Sequence, residues 1–371
     1  MKKRYWLLAG MGLLTYQAIQ LSKRYAHPLK KLVHQERLLN KNKPPLSLNW
    51  LREETYNNQW KNELEPYLHQ RKTVSVLNSG KQKIHYSFFQ ADKAKAVFVL
   101  VHGFNEYQEK FSELVYYLLQ ANISVLTYDA RGHGLSKCRT KQTQIDIEDF
   151  SLYELDLWQM VQRAGKLTHS SLPIWLLGHS MGGAVVTGFA EKYASMINGV
   201  VLMSPMLSIR SGKMSLGQMH MIADLLKLIG KGDDYIPSTY AKDSQSRLTY
   251  HEHNSLDTSD VRGAFYHQLN YKLHLYPTHS GSINWLKAAL DYLQVINRPE
   301  AIQLIDVPCL VFRPGKDVLV SQEGPLNLMY YLPNSLNIFI PYEKHELLMS
   351  EDQTIQAIIS QIIRFFEHSR G

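Results

Sequence analysis

Residues Gly178-His179-Ser180-Met181-Gly182 set a serine hydroxyl between two glycines, the spacing of a strand-to-helix turn that presents a nucleophile. A serine attacks well only when a base takes its proton, so this chemistry calls for a histidine and a carboxylate that orients it. Gly178 and Gly182 fall where a Cβ would strike the neighbouring strand or helix. A lone Gly-x-Ser-x-Gly is a weak match, and the bland reading is a helix-capping serine with glycines for packing. Its setting is more specific, because the strand-like run Pro173 to Leu177 precedes it and the helical run Gly183 to Glu191 follows.

Acyl transfer at such a serine also needs donors for the developing oxyanion. One is the backbone N–H of Met181, at the positive start of a helix. A second is expected from Val101-His102-Gly103-Phe104, directly after an apolar strand, with the Phe104 N–H aimed at the charge. His102 and His133 read as braces of their loops rather than as the base. Asp129 and Arg131 are expected to pair and fix the second of those loops. The acid and the base should follow in that order from later strand ends. Asp317 lies just past the apolar run ending at Phe312, whereas Asp306 precedes that run and falls at the wrong end of the sheet. His345 lies past Leu336 to Ile340 and before a terminal helix. In this scheme His345 takes the proton of Ser180, and Asp317 fixes the imidazole tautomer and stabilises the imidazolium.

The elements that must position these residues are legible as well. Ala96–Val101, Ile123–Tyr128, Ile174–Leu177, Val200–Met203 and Val307–Phe312 are predominantly apolar and alternate with helical stretches. Such strands belong to a mostly parallel sheet with helices on both faces, a doubly wound α/β architecture. Two β-rich runs, Thr73–Leu77 and Ile84–Phe89, flank Asn78-Ser79-Gly80 and read as an antiparallel hairpin at a sheet edge. Before them, residues 29–70 read as a polar linker followed by an appended helix near 48–68.

Taken together, the chain resembles the α/β-hydrolase family, in its lysophospholipase and monoacylglycerol lipase branch, over roughly residues 70–368. The resemblance rests on His102-Gly103-Phe104, Asp129 through Ser136, Gly178 through Gly183, Gly315-Lys316-Asp317 and His345 through Glu351. It implies a metal-independent, cofactor-free serine hydrolase acting on esters of lipid acyl chains, with lysophospholipid or monoacylglycerol as substrate. General carboxylesterase, thioesterase and proline-iminopeptidase-like activities are the alternatives, because the nucleophile turn is shared among them. A non-catalytic protein that keeps the fold is a further one.

The implied division is a core of 71–205 and 299–371, with a cap at 206–298. The cap carries a methionine-rich apolar helix, including Met214, Met219, Met221, Leu225 and Leu228. One reading is a lid that offers an adaptable wall to an acyl chain, with Met206, Met219 and Trp285 as pocket candidates. The other is a helix that buries its apolar face on the core. His251 and His253 lack an ordered carboxylate set and read as loop histidines rather than metal ligands.

Composition narrows the partners. The 371 residues carry 41 Lys+Arg against 33 Asp+Glu, a formal net charge of +8, and are 44% hydrophobic. Seven of the basic residues lie in 1–35, which has no carboxylate, leaving 34 basic against 33 acidic residues elsewhere. A nearly neutral body argues against a nucleic-acid groove. Two cysteines, Cys138 and Cys309, exclude a disulfide scaffold. Between the basic clusters of residues 1–28 runs an apolar stretch of 17 residues, Tyr5–Leu21. It reads as an uncleaved membrane anchor at the lower length limit, with a signal peptide or an interfacial helix as alternatives. The protein is therefore expected to be membrane-associated through its N-terminus, or exported.

Overall fold

A computed structural model describes residues 37–137, 144–169, 172–212, 214–236, 249–272 and 280–369. The basic, apolar leader lies outside them, as does Cys138. The strands are β1 (Arg37–Leu38), β2 (Lys72–Ser79), β3 (Gln82–Phe89), β4 (Ala96–Val101), β5 (Ile123–Tyr128), β6 (Gln144–Ile145), β7 (Ile174–His179), β8 (Gly199–Met203), β9 (Ser280–Gly281), β10 (Cys309–Pro314) and β11 (Leu336–Ile340). Nine of them form one sheet in the order β1-β11-β10-β8-β7-β4-β5-β3-β2, while β6 and β9 pair separately. Pairing from β1 through to β5 is parallel; β3 runs antiparallel to β5 and to β2, which makes the expected edge hairpin. The main helices are α1 (Ser112–Gln120), α2 (Ser151–Leu167), α3 (Met181–Tyr193), α4 (Leu216–Leu228), α5 (Asp260–Lys272), α6 (Ile283–Ile296), α7 (Glu323–Tyr331) and α8 (Asp352–His368).

Both sheet faces are covered, and the side-chain alternation along each strand shows how. In β4, Val97, Val99 and Val101 pack into a cluster with α2, α3 and α6. Ala96, Phe98 and Leu100 of the same strand pack into a second cluster with α1 and α8. A strand buried on both faces has no position for a polar side chain, which is why β4 reads as an unbroken apolar run.

Residues 37–69 are built into the body more closely than a linker would be. β1 lies parallel to β11, with Arg37 opposite Ile338 and Leu38 opposite Phe339. Lys41 reaches Glu343 at 3.4 Å, and the Leu46 N–H donates to Ser360 Oγ at 3.0 Å. The helical stretch 53–69 changes pitch along its length and buries Tyr56, Trp60, Leu64 and Leu68.

The stretch 206–298 is likewise not a single lid. Within α5, Arg262 is fully buried and bonds Glu113 of α1 at 3.1 Å and Asp352 of α8 at 2.9 Å. Phe265 and Tyr266 close on Trp60 with ring centroids 4.4 and 5.6 Å away. Helix α6 contributes Trp285, Ala289, Leu293 and Ile296 to the core beneath the sheet. Among the described residues of this stretch, α4 is the helix that stands apart, with Ala223 its one buried residue. Met221, Ile222, Leu225 and Leu228 face outward, so the helix does not bury its apolar face on the core. Its inner side is held by His220, whose Nε2 lies 2.6 Å from Asp291 of α6, and by Lys287, 3.3 Å from Asp224.

Candidate active site

Four strands of the parallel sheet deliver the candidate residues at their carboxyl ends, where such sheets present ligand sites. β7 ends at His179 and leads into Ser180, which opens α3. Ser180 holds φ +51° and ψ −118°, a backbone conformation that costs a non-glycine residue energy. Its own backbone locks it there: the N–H donates to the Met203 carbonyl at 3.0 Å, and the carbonyl accepts from Gly183 and Met206 at 2.9 Å each. A Cβ on Gly178 would collide with the backbone of Gly182 and Gly183, and one on Gly182 with the carbonyls of Val101 and His102. The turn therefore exists only because both positions lack a side chain.

From β10, Asp317 is placed so that Oδ2 lies 2.7 Å from His345 Nδ1, while Oδ1 accepts the amides of Leu319 at 2.8 Å and Val320 at 2.9 Å. Burial alone would raise this carboxyl; the His345 bond and charge and the two amides outweigh it and hold Asp317 below its ordinary value. His345, from the loop after β11, is buried, and its carbonyl accepts the Ser204 hydroxyl at 2.7 Å. Its ring centroid lies 5.2 Å from that of His179, the residue before Ser180. No hydrogen bond joins Ser180 Oγ to His345 among the described residues; such bonds commonly tighten only with substrate in place.

The loop after β4 lies against the serine: a Cβ on Gly103 would come within 3.0 Å of Ser180 Cβ. Among the described residues the N–H groups of Phe104 and Met181 have no protein acceptor. His102 braces this loop, its Nδ1 2.7 Å from the Gly103 carbonyl and its Nε2 accepting the Ala130 N–H at 2.9 Å. Burial depresses it to about 4, so it stays neutral. His133 is buried beside it, 3.0 Å from the Arg131 carbonyl, and is lowered to about 3 by the same cause.

The expected pairing of Asp129 with Arg131 is replaced by two separate clamps. Arg131 makes a bidentate contact with Asp156 of α2, at 2.6 and 2.7 Å. Asp129 instead accepts the backbone amides of Gln108 and Leu135 at 2.8 and 2.9 Å. Arginine's flat fork matches a free carboxylate on the facing helix better than one already turned toward backbone amides.

Of the pocket candidates, Met206 is buried and donates its N–H to Ser180, and Trp285 is buried with its ring 4.2 Å from that of Phe104. Met219 is half-buried on α4. His253 is exposed and lies 2.8 Å from Asp260.

The sheet order, the helices on both of its faces and the turn at Ser180 define an α/β-hydrolase fold. The chain belongs to the family described as Hydrolase_4, serine aminopeptidase S33, whose model matches residues 92–352. Among curated relatives it is 26% identical over 315 residues to "Probable lysophospholipase L2" of Haemophilus influenzae, an overlap of 81% of this chain and 97% of that protein. It is 33% identical over 113 residues to monoglyceride lipase of Homo sapiens, which covers 30% of this chain and 36% of that protein. Among solved structures, a soluble variant of monoglyceride lipase from Saccharomyces cerevisiae superposes with a TM-score of 0.65 at 18% identity, over 81% of this chain and 96% of that one. At that identity the likeness speaks for the fold alone.

Proposed function

We propose that this hydrolase cleaves carboxylic esters of lipids, lysophospholipid or monoacylglycerol, through an acyl-Ser180 intermediate. His345 Nε2 takes the Ser180 proton as the oxygen attacks the ester carbonyl. The tetrahedral oxyanion is met by the N–H groups of Phe104 and Met181. His345 then returns the proton to the leaving alcohol and activates the water that releases the fatty acid. Asp317 holds Nδ1–H throughout and stabilises the imidazolium. The observation that carries this reading is the 2.7 Å contact of Asp317 with His345, on loops that converge on the turn bearing Ser180. The lysophospholipase relative, similar over most of both chains, supports the substrate class.

The family's description raises an aminopeptidase as the competing reading. Two of the cap's carboxylates, Asp224 and Asp291, are engaged by Lys287 and His220 and are not free to hold a substrate ammonium. The outward apolar face of α4 suits lipid better. We further propose that the leader, basic at both ends and apolar between, keeps the enzyme at a membrane. No helix among the described residues is long and apolar enough to cross one.

The deciding experiment presents purified protein with lysophospholipids, monoacylglycerols, short nitrophenyl esters and an aminoacyl anilide. Lipid esters should be preferred, and Ser180→Ala should abolish both turnover and fluorophosphonate labelling. Preference for the anilide, or activity retained in the variant, would overturn the reading.

A further inference from the structure

Directly behind the candidate site lie four ionisable side chains, His179 from the end of β7 and Glu106, Lys110 and Glu346 from the stretches after β4 and β11. Glu106 accepts the Gly103 N–H at 2.8 Å through Oε2, while its Oε1 lies 2.9 Å from His179 Nδ1 and 3.0 Å from Lys110 Nζ. Lys110 continues to Glu346 at 2.7 Å. His179 Nε2 faces the His345 carbonyl at 3.4 Å and the Glu346 carboxylate at 3.7 Å. Ligand atoms of Glu106, His179 and Glu346 all fall within 4.8 Å of one another, as a metal would require. The Lys110 ammonium, however, already bridges the two carboxylates and supplies the cation.

Geometry assigns the protons. Both ring nitrogens of His179 face acceptors only, a carboxylate on one side and a carbonyl with a second carboxylate on the other, so both must donate. The cluster then holds two cations and two anions. Resting on the serine-hydrolase reading, we propose that His179 is an imidazolium, and that Glu106, Lys110, His179 and Glu346 are positioning residues. Together they hold the oxyanion loop, the nucleophile turn and the base loop in register. Each of three members touches a different part: Glu106 the Gly103 amide, His179 the residue that it precedes, Ser180, and Glu346 the residue that it follows, His345.

The electrostatics agree. Burial would raise the Glu106 carboxyl, but the charges of His179 and Lys110 hold it well below the carboxylate range. Burial likewise lowers His179, and the two carboxylates outweigh it, so the ring ends above its ordinary value. His102, neutral, and the ring of His345 are the other titratable groups beside it, and Asp257 stands behind Glu346.

The first arm of the test needs no turnover. In full-length protein with 15N-labelled histidine, the His179 signal, assigned by its loss in His179→Gln, should show both nitrogens protonated at about pH 8, where an ordinary histidine is neutral. A single neutral tautomer there would overturn the proposal. In the second arm, Lys110→Met should lower kcat about 10- to 100-fold with little change in KM, because the loops are misplaced while the groups that bind substrate are untouched. Lys110→Met with Glu346→Gln should recover part of that activity, since charge balance returns. Unchanged kcat in Lys110→Met would also overturn it. Fluorophosphonate labelling of Ser180 is scored separately: an unlabelled serine beside a protonated His179 fails the functional reading and leaves the cluster standing.

Discussion

Asp317 directs one oxygen to His345 Nδ1, at 2.7 Å, and the other to the amides of Leu319 and Val320 in its own loop. The carboxylate is thus fixed by its backbone before it meets the imidazole, and the imidazole can adopt only the tautomer with the proton on Nδ1. Replacing the acid by its amide would keep the shape and reverse the donor. Asp317→Asn should therefore lower kcat by about 10³- to 10⁴-fold on an ester substrate while the protein remains folded.

The same residue carries a pH signature. Its carboxyl is held below the unfolded value, so the stability it adds is fully present above about pH 4 and is lost as pH falls through the lower folded value. Urea unfolding of the parent and of Asp317→Asn should differ at neutral pH and converge in acid. A gap that does not narrow at all between neutral pH and acid would show that the carboxylate contributes nothing through its charge.

Glu191 runs the opposite way. Burial first, then the neighbouring Glu154, push its carboxyl up to about 9, so it is protonated at neutral pH. A raised acid costs stability as pH climbs from the unfolded value near 4 towards the folded one. Glu191→Gln should raise the melting temperature at about pH 8 and leave it nearly unchanged at about pH 4.

Arg262 joins α5 to Glu113 and Asp352 with no exposure to water. Arg262→Met leaves Glu113 buried without its cation and should cost about 3–5 kcal/mol in chemical denaturation. Adding Glu113→Leu should restore much of this, because the stranded charge is gone.

Leu225 and Leu228 lie on the outward face of α4, Leu228 with 82% of its surface exposed. Charges there meet no packing, so Leu225→Glu with Leu228→Glu should leave stability within about 0.5 kcal/mol. Hydrolysis of a soluble nitrophenyl ester should be unaffected while sedimentation with phospholipid vesicles weakens. Equal vesicle binding by parent and variant would remove α4 from the lipid contact.

How far the sequence carried depended on whether a signal was local. Runs such as Ala96–Val101, Ile123–Tyr128 and Leu336–Ile340 coincide with strands because a strand buried on both faces writes itself as a mainly apolar run, broken here only by Ser124, Thr127 and Asn337. The turn at Ser180 is legible for a similar reason, since two glycines and a flanking strand and helix lie within a few positions. Partners distant in the chain were not. Arg131 meets Asp156 on a helix whose placement no spacing announces, and Arg262 reads as a surface charge until α1 and α8 are packed around it. Glu106, Lys110 and Glu346 look like ordinary loop charges in sequence. The outward turn of α4 is equally hidden, because an apolar stripe does not state what it faces.

The pairing of β1 with β11 bears on where the chain can be shortened. A chain beginning at residue 37 keeps both residues of β1 that make that pairing. Starting instead at residue 50 strips the ladder at Ile338 and Phe339, frees Glu343 and Thr354 from Lys41, and takes Leu46 from Ser360. The strand thereby bared is β11, which feeds the His345 loop, and an unpaired strand edge is a template for aggregation. A preparation trimmed too far would thus lose solubility and the histidine's setting together, and inactivity in it would say nothing about the leader.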